Sequence, residues 1–171
     1  MKKLFFLIVI IFNFKPLYAQ NNIVYLDMQF ILNNSLAGKM VTEHLEKIKD
    51  SKKGEFNKVL ASIKTQENDI KSKKNILTDQ EYNNQLNLLK KKISIFKKDQ
   101  NQHLINLNKK KKKYSNQILE KLNPILSDYA KENNISFIIS KEYILLAKKD
   151  HDITTIILNL LNNELKSINL N

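Results

Sequence analysis

The sequence predicts a mostly helical α+β protein: a long antiparallel coiled-coil hairpin, the arm, standing on a small β-rich oligomerisation body. Three observations carry this expectation. Among 171 residues there are only two glycines and two prolines, which disfavours turn-rich β folds and enzymes built on phosphate loops. Two consecutive segments repeat apolar residues in steps of four and three, the narrow stripe of a coiled coil rather than the wider face of a globular helix. The short strand-like runs lie near both ends of the chain, so closing the hairpin brings them together.

The chain begins with an expected export signal, residues 1–19. MKK supplies a positive start, LFFLIVIIFNF an apolar core of about eleven residues, and the peptidase is expected to cut between Ala19 and Gln20. That core is shorter than the roughly 20 residues a spanning helix needs. Losing nineteen residues, three of them lysine, leaves 152 with a formal charge of +9. Without cysteine the exported chain has no disulfides and depends on packing or assembly.

Ile23, Val24, Tyr25 and Leu26 read as a strand ended by Asp27. Ser35 is the expected N-cap of a helix carrying Leu36, Met40, Leu45 and Ile48. Its stripe continues through Lys52, Phe56, Val59, Ile63, Gln66, Ile70, Lys73 and Leu77, several of them polar. Thr78, followed three residues later by Glu81, makes a capping box that starts the returning helix. There the stripe is Tyr82, Leu86, Leu89, Ile93, Phe96, Gln100, His103, Leu107, Lys111, Tyr114 and Ile118. The arm is expected over 45–113 with its tip near 76–82, and the body over 20–44 and 114–171. Each arm helix of about 40 residues would reach about 60 Å.

Pro124 is expected to kink the descending helix or restart it. Ile135 to Ile139 and Tyr143 to Ala147, separated by SKE, read as a two-stranded hairpin. Asp152 is the expected N-cap of a last helix with Ile153, Ile156, Ile157, Leu160 and Leu161 on one face. One strand near the start and two near the end make too small a sheet to bury its own faces, which predicts a homo-oligomer. Val24, Leu26, Phe137, Ile139, Ile144 and Leu146 are the expected oligomerisation residues.

The stretches IVYLDMQFILNNSLAGKMV and NISFIISKEYILLAKKDHDITTIILNLL, with the heptad hairpin between them, resemble the Skp/OmpH family of periplasmic chaperones. The matching features are Asp27, Met28 and Gln29 after the first strand, the A-G-K start at Ala37, Gly38 and Lys39, and the D-I-T start at Asp152, Ile153 and Thr154. One departure is that Asn133 and Asn134 stand where the family has a glycine before its second strand; asparagine also tolerates a positive φ at a helix end. The resemblance implies a homotrimer whose bodies join at one end while three arms surround a cavity. It further implies an ATP-independent holdase that keeps unfolded outer-membrane proteins soluble on their way across the periplasm.

Nothing in the residues points to catalysis, a cofactor or a metal. His44, His103 and His151 are far apart in sequence, and no glycine-rich phosphate loop is present. Charge is more informative. Residues 47–113 hold 19 lysines against seven acids, a net +12, whereas residues 20–46 and 114–171 together carry −3. Such a field draws acidic partners to the arm and weakens in salt. The run of five lysines at 109–113 sweeps roughly 400° of a helix, so it rings the shaft instead of forming one face. Folding about Leu77 and Thr78 sets it opposite 42–47, which contains Glu43 and Glu46, so one or two of its lysines, Lys111 on the seam first among them, are expected to pair with the other helix while the rest face water or the cavity.

Ile76, Leu77 and Tyr82 at the tip, with Lys73, Lys74, Lys90, Lys91, Lys97 and Lys98, are the expected client-binding residues. Anionic lipid or lipopolysaccharide is a further expected contact of the lysines. Two alternatives stand beside the chaperone: an envelope-associated coiled coil whose lysines meet lipid headgroups, and a nucleic-acid binder. A dedicated nucleic-acid role is disfavoured by export, by the lack of arginine for base reading, and by the lack of aromatic stacking platforms.

Overall fold

The computed structural model describes residues 22–170, so the expected export signal and its junction at Ala19 and Gln20 lie outside the described residues. The elements run β1 (Asn22–Leu26), α1 (Met28–Asn34), α2 (Leu36–Ser72), α3 (Asp79–Glu132), β2 (Ile135–Ser140), two 3-10 turns (Lys141–Tyr143 and Lys149–His151) and α4 (Thr154–Glu164). Helices α2 and α3 form the hairpin; the short elements gather where its two ends meet.

Strand β1 pairs with β2 in parallel, Val24 beside Ile138 and Leu26 beside Ser140. Parallel neighbours need a long crossover. Here the whole helical hairpin is that crossover. The expected antiparallel hairpin of 135–139 with 143–147 is therefore corrected: among the described residues the sheet has two strands, Lys141–Tyr143 turns as a 3-10 helix, and Ile144 to Ala147 pair with neither strand. A β-branched run becomes a strand only when an edge is offered to it, and β2 takes its partner from the start of the chain.

Helix α1 was not expected. Asp27 caps it by accepting from Phe30 N at 2.8 Å, and Ser35 ends it while starting α2, its Oγ accepting from Gly38 N at 3.1 Å. Two helices meeting at one buried serine press the first turn of α2 against the end of α1. A Cβ on Gly38 would sit 1.9 Å from Leu32 O, so only glycine fits. The Ala37–Gly38 part of the A-G-K start is thus a packing requirement, while Lys39 is exposed.

The body has a core of its own. Leu26, Ile31, Ala37 and Val41 pack with Tyr114, Ile118, Leu122 and Ile125 of α3 and with Ile153, Ile157, Leu161 and Leu165 around α4. Each fully buried aliphatic side chain contributes about 1.5–3 kcal/mol. These helices cover one face of the sheet that the sequence left bare. Ile156, expected on the same face of α4, is exposed instead. The chain after α4 folds back over the base of the arm, where the buried Tyr114 donates from its hydroxyl to Leu170 O at 2.8 Å.

Helix α3 runs unbroken through Pro124, so the expected restart does not occur. Leu122 and Ile125 on either side are buried in the core, and their burial outweighs the roughly 3 kcal/mol cost of an interior proline. Beyond α3, Asn134 has φ 53°, the left-handed residue that redirects the chain into β2. At the other end of α3 the capping box is complete: Glu81 N donates to Thr78 Oγ1 at 3.3 Å and Thr78 N to a Glu81 carboxylate oxygen at 3.0 Å.

Two outcomes follow from these contacts. Gly38→Ala is expected to lose about 1–3 kcal/mol in denaturant unfolding through overpacking, whereas Gly54→Ala, with open space around its Cβ, is expected to gain about 0.5–1 kcal/mol; equal effects would contradict the packing at Gly38. The hydrogen bonds from Thr78 hold the Glu81 carboxyl below the usual carboxylate range. Its contribution is present above the unfolded value of 4.5 and is lost as pH falls through the lower folded value. Amide exchange at the start of α3 should accelerate in that window, and Glu81→Gln should flatten the response.

Candidate functional site

The arm is held by a thin seam. Ile63, Ile70 and Leu89 are buried, with Tyr82, Leu86, Ile93 and Phe96 packed around them. Nearer the base Phe56 meets Phe96 and His103 edge to face, with centroids 5.8 and 5.7 Å apart, and His44 meets Tyr114 at 5.9 Å. The expected register holds: Glu46 and Lys111 line one groove of about 490 Å³ at the base. Lys111 forms no ion pair with Glu43 or Glu46, which corrects the expectation for that residue. Of the lysines at 109–113, Lys110 is half-buried and the others are exposed.

A cross-arm contact was not visible in the sequence. Lys92 Nζ donates to Ser62 Oγ and Gln66 Oε1, both at 2.9 Å, so the polar seam position at 66 is satisfied by a lysine from the opposite helix. Finding it needs the register between helices, which no single helix states.

The expected tip residues separate. Ile76 is 80% exposed, while Leu77 and Tyr82 are half-buried and Tyr82 packs on the seam. Lys73 is paired with Asp69 at 2.7 Å, and Lys74, Lys90, Lys91, Lys97 and Lys98 are exposed along the shaft. Part of the arm's acid is neutralised within α2. Glu67 is bonded by Lys71 at 2.7 Å, and Glu55 is bonded by Lys52; each hydrogen bond, with the lysine charge behind it, pulls the carboxyl below the usual carboxylate range. What remains facing water is mostly lysine.

Apolar residues missed by the stripe also face water: Leu88 at 66%, and Leu60, Ile95 and Leu104 beside it in exposure. Their signal was present as apolar residues falling off the seam, spaced singly among lysines and amides. Isolated leucines on a surface are ordinary, but a row of them along a projecting arm is a weak, distributed apolar surface.

The body offers a second surface. Of the residues expected to oligomerise, Val24 and Leu26 are taken up in the core of this chain. Phe137 (60% exposed) and Leu146 (92%) point outward, with Ile139 and Ile144 less exposed beside them. Together with Ile23, Tyr143 and the fully exposed Leu145, most of these form an apolar concavity of about 700 Å³ outside the sheet. It is held in place by the ends of the chain. Ile153 N donates to Tyr25 O at 2.9 Å, and Thr154 Oγ1 accepts from Asp27 N at 2.8 Å while donating to Asp152. The N-cap of α4 is Ile153, which corrects the expected cap at Asp152 by one residue, although the Asp152 carboxylate still accepts from Thr154 N at 2.9 Å.

Among the described residues, no three histidine or acidic side chains gather as metal ligands would, and no helix is long and apolar enough to cross a membrane.

Comparison with known proteins agrees with this geometry. A crystal structure from Caulobacter crescentus CB15, assigned to an OmpH-like outer membrane chaperone, superimposes with a TM-score of 0.69 at 17% identity, over 86% of this chain and 88% of that one. At that identity the likeness is one of fold. No curated protein matches the sequence. The sequence profile of the family described as Outer membrane protein (OmpH-like) matches residues 22–161, most of the chain. With that match and the hairpin-on-body fold, the chain belongs to the OmpH-like outer membrane protein family.

Proposed function

We propose that the protein is an ATP-independent holdase chaperone of the periplasm that binds unfolded outer-membrane proteins and keeps them from aggregating. The observation that carries this reading is the arm: a projecting hairpin whose free surface combines an excess of lysine with singly spaced apolar residues such as Ile76, Leu88 and Leu104. Family membership supports it. Weak, non-directional attraction suits a task in which the bound chain must leave again. Long-range charge raises encounter rates, and scattered apolar contacts hold the chain without a tight pocket. The role needs no catalysis.

The same reading takes the active form to be a homotrimer joined through the outer face of the sheet. The exposed apolar side chains from Tyr143 to Leu146 support this, since large apolar residues gathered beside the sheet edge and left in water suit a contact between copies. Export with removal of residues 1–19 completes the proposal; N-terminal sequencing that finds Met1 intact would favour a tethered envelope protein instead.

Diluting a urea-denatured outer-membrane β-barrel into the processed protein tests the reading. Light scattering should fall to near the buffer baseline, and the complex should contain three copies of this chain. Replacing Lys90, Lys91, Lys97 and Lys98 with glutamine should slow capture at low salt and much less at high salt, because a surface field is screened beyond about 10 Å at 0.1 M. Unsuppressed aggregation or a strictly monomeric protein contradicts the proposal.

A further inference from the structure

Mid-shaft, a groove of about 610 Å³ lies between α2 and α3. Phe56, Leu104 and Leu107 give it an apolar surface, and the exposed Lys49, Lys53 and Lys97 stand along it. Its other lining residues are amides and His103, with no carboxylate among them. None of the three lysines takes part in the ion pairs formed among the described residues, and the nearby Glu55 is already held by Lys52. Edge-to-face contacts with Phe96 and His103 fix the Phe56 ring. His103 Nε2 is buried with no hydrogen-bond partner. A buried polar atom left unpaired, beneath an open apolar surface, marks a place that packing within the arm does not explain.

We propose that this groove binds short extended polypeptide segments in which acidic residues flank an aromatic one. The proposal rests on the chaperone reading and names the kind of segment that a client presents to the arm. Length supports a peptide. The wall from Lys49 to Asn57 spans eight helical steps, about 12 Å, which accommodates about four residues of extended chain at roughly 3.3 Å each. Charge and apolar surface together supply the chemistry. A central aromatic side chain faces Phe56, Leu104 and Leu107, while the carboxylates on either side, turned away from the apolar floor by the alternation of an extended chain, lie in the field of the long lysine side chains along the groove. A basic segment of the same shape meets three unpaired positive charges and is rejected.

The chain has no tryptophan, so a peptide's own tryptophan reports binding without a label. A tetrapeptide of alternating aspartate and tryptophan, titrated into the full processed protein, should show a saturable blue shift. The same peptide with lysine in place of aspartate should bind at least about tenfold more weakly. Lys53→Gln combined with Lys97→Gln should weaken the acidic peptide about tenfold at low salt, and Leu104→Gln should weaken it at any salt. Lys64→Gln with Lys112→Gln removes the same charge elsewhere on the arm and should change affinity less than about twofold. Equal losses in both double variants, or equal binding of the basic peptide, overturn the groove as the site. Displacement of the acidic peptide by a fatty-acid anion at lower concentration than the peptide itself assigns the groove to lipid and overturns the proposal too. Aggregation suppression is measured in parallel: if it persists while the peptide fails to bind, only the groove is refuted, and if both fail the chaperone reading falls with it.

Discussion

The structure depends on the parallel pairing of β1 with β2. A strand at the start of the chain can lie parallel to a strand more than a hundred residues later only if everything between them leaves and returns. The arm is that excursion. Its two helices are therefore anchored at one end by the sheet and by the core that Tyr114, Ile118 and Leu122 build with α4, and closed at the other by the capping box at Thr78 and Glu81 and the seam between Ile70 and Tyr82. Two bonds tie the segment before α4 to the end of β1, Asp27 N to Thr154 Oγ1 and Ile153 N to Tyr25 O, while Asp152 holds Thr154 in place.

An arm anchored this way needs little seam. Buried residues are concentrated in the body, while the shaft holds together through Ile63, Ile70 and Leu89, an aromatic group at Phe56, and the bridge from Lys92 to Ser62 and Gln66. A narrow seam leaves most of each helix facing water. That surface carries lysines whose charge is only partly offset by Glu55, Glu67 and Asp69, and exposed apolar side chains such as Leu88 and Leu104. The same economy that makes the arm a weak packing unit makes it a broad surface for another chain.

Features governed by local chemistry were legible in the sequence. The capping box, the Ser35 cap, the stripes of both arm helices and the left-handed residue at Asn134 all follow from residues within one or two turns of one another. What the sequence hid depends on distant partners. Whether Tyr143 to Ala147 form a strand depends on long-range pairing that no local pattern states, and in the folded chain Ile144 to Ala147 pair with neither strand. Helix α1 has only seven residues, too few to display a period. Pro124 stays helical because of a core assembled from the other end of the chain. At the candidate surfaces, the burial of Val24 and Leu26, with Tyr25 buried between them, became clear only with α4 in place. Leu88 and Leu104 lie off the seam, and that they face water is a property of the folded arm.

The central claim is that unfolded chains are held by the free surface of the arm. Photo-crosslinking tests it most directly: a photoreactive residue placed in turn at Ile76, Leu88 and Leu104, and at Asp128 of the body as a reference, followed by addition of a denatured outer-membrane protein. The account predicts crosslinks from the three arm positions and few from Asp128. Crosslinks confined to the body, or none from the arm, would contradict it.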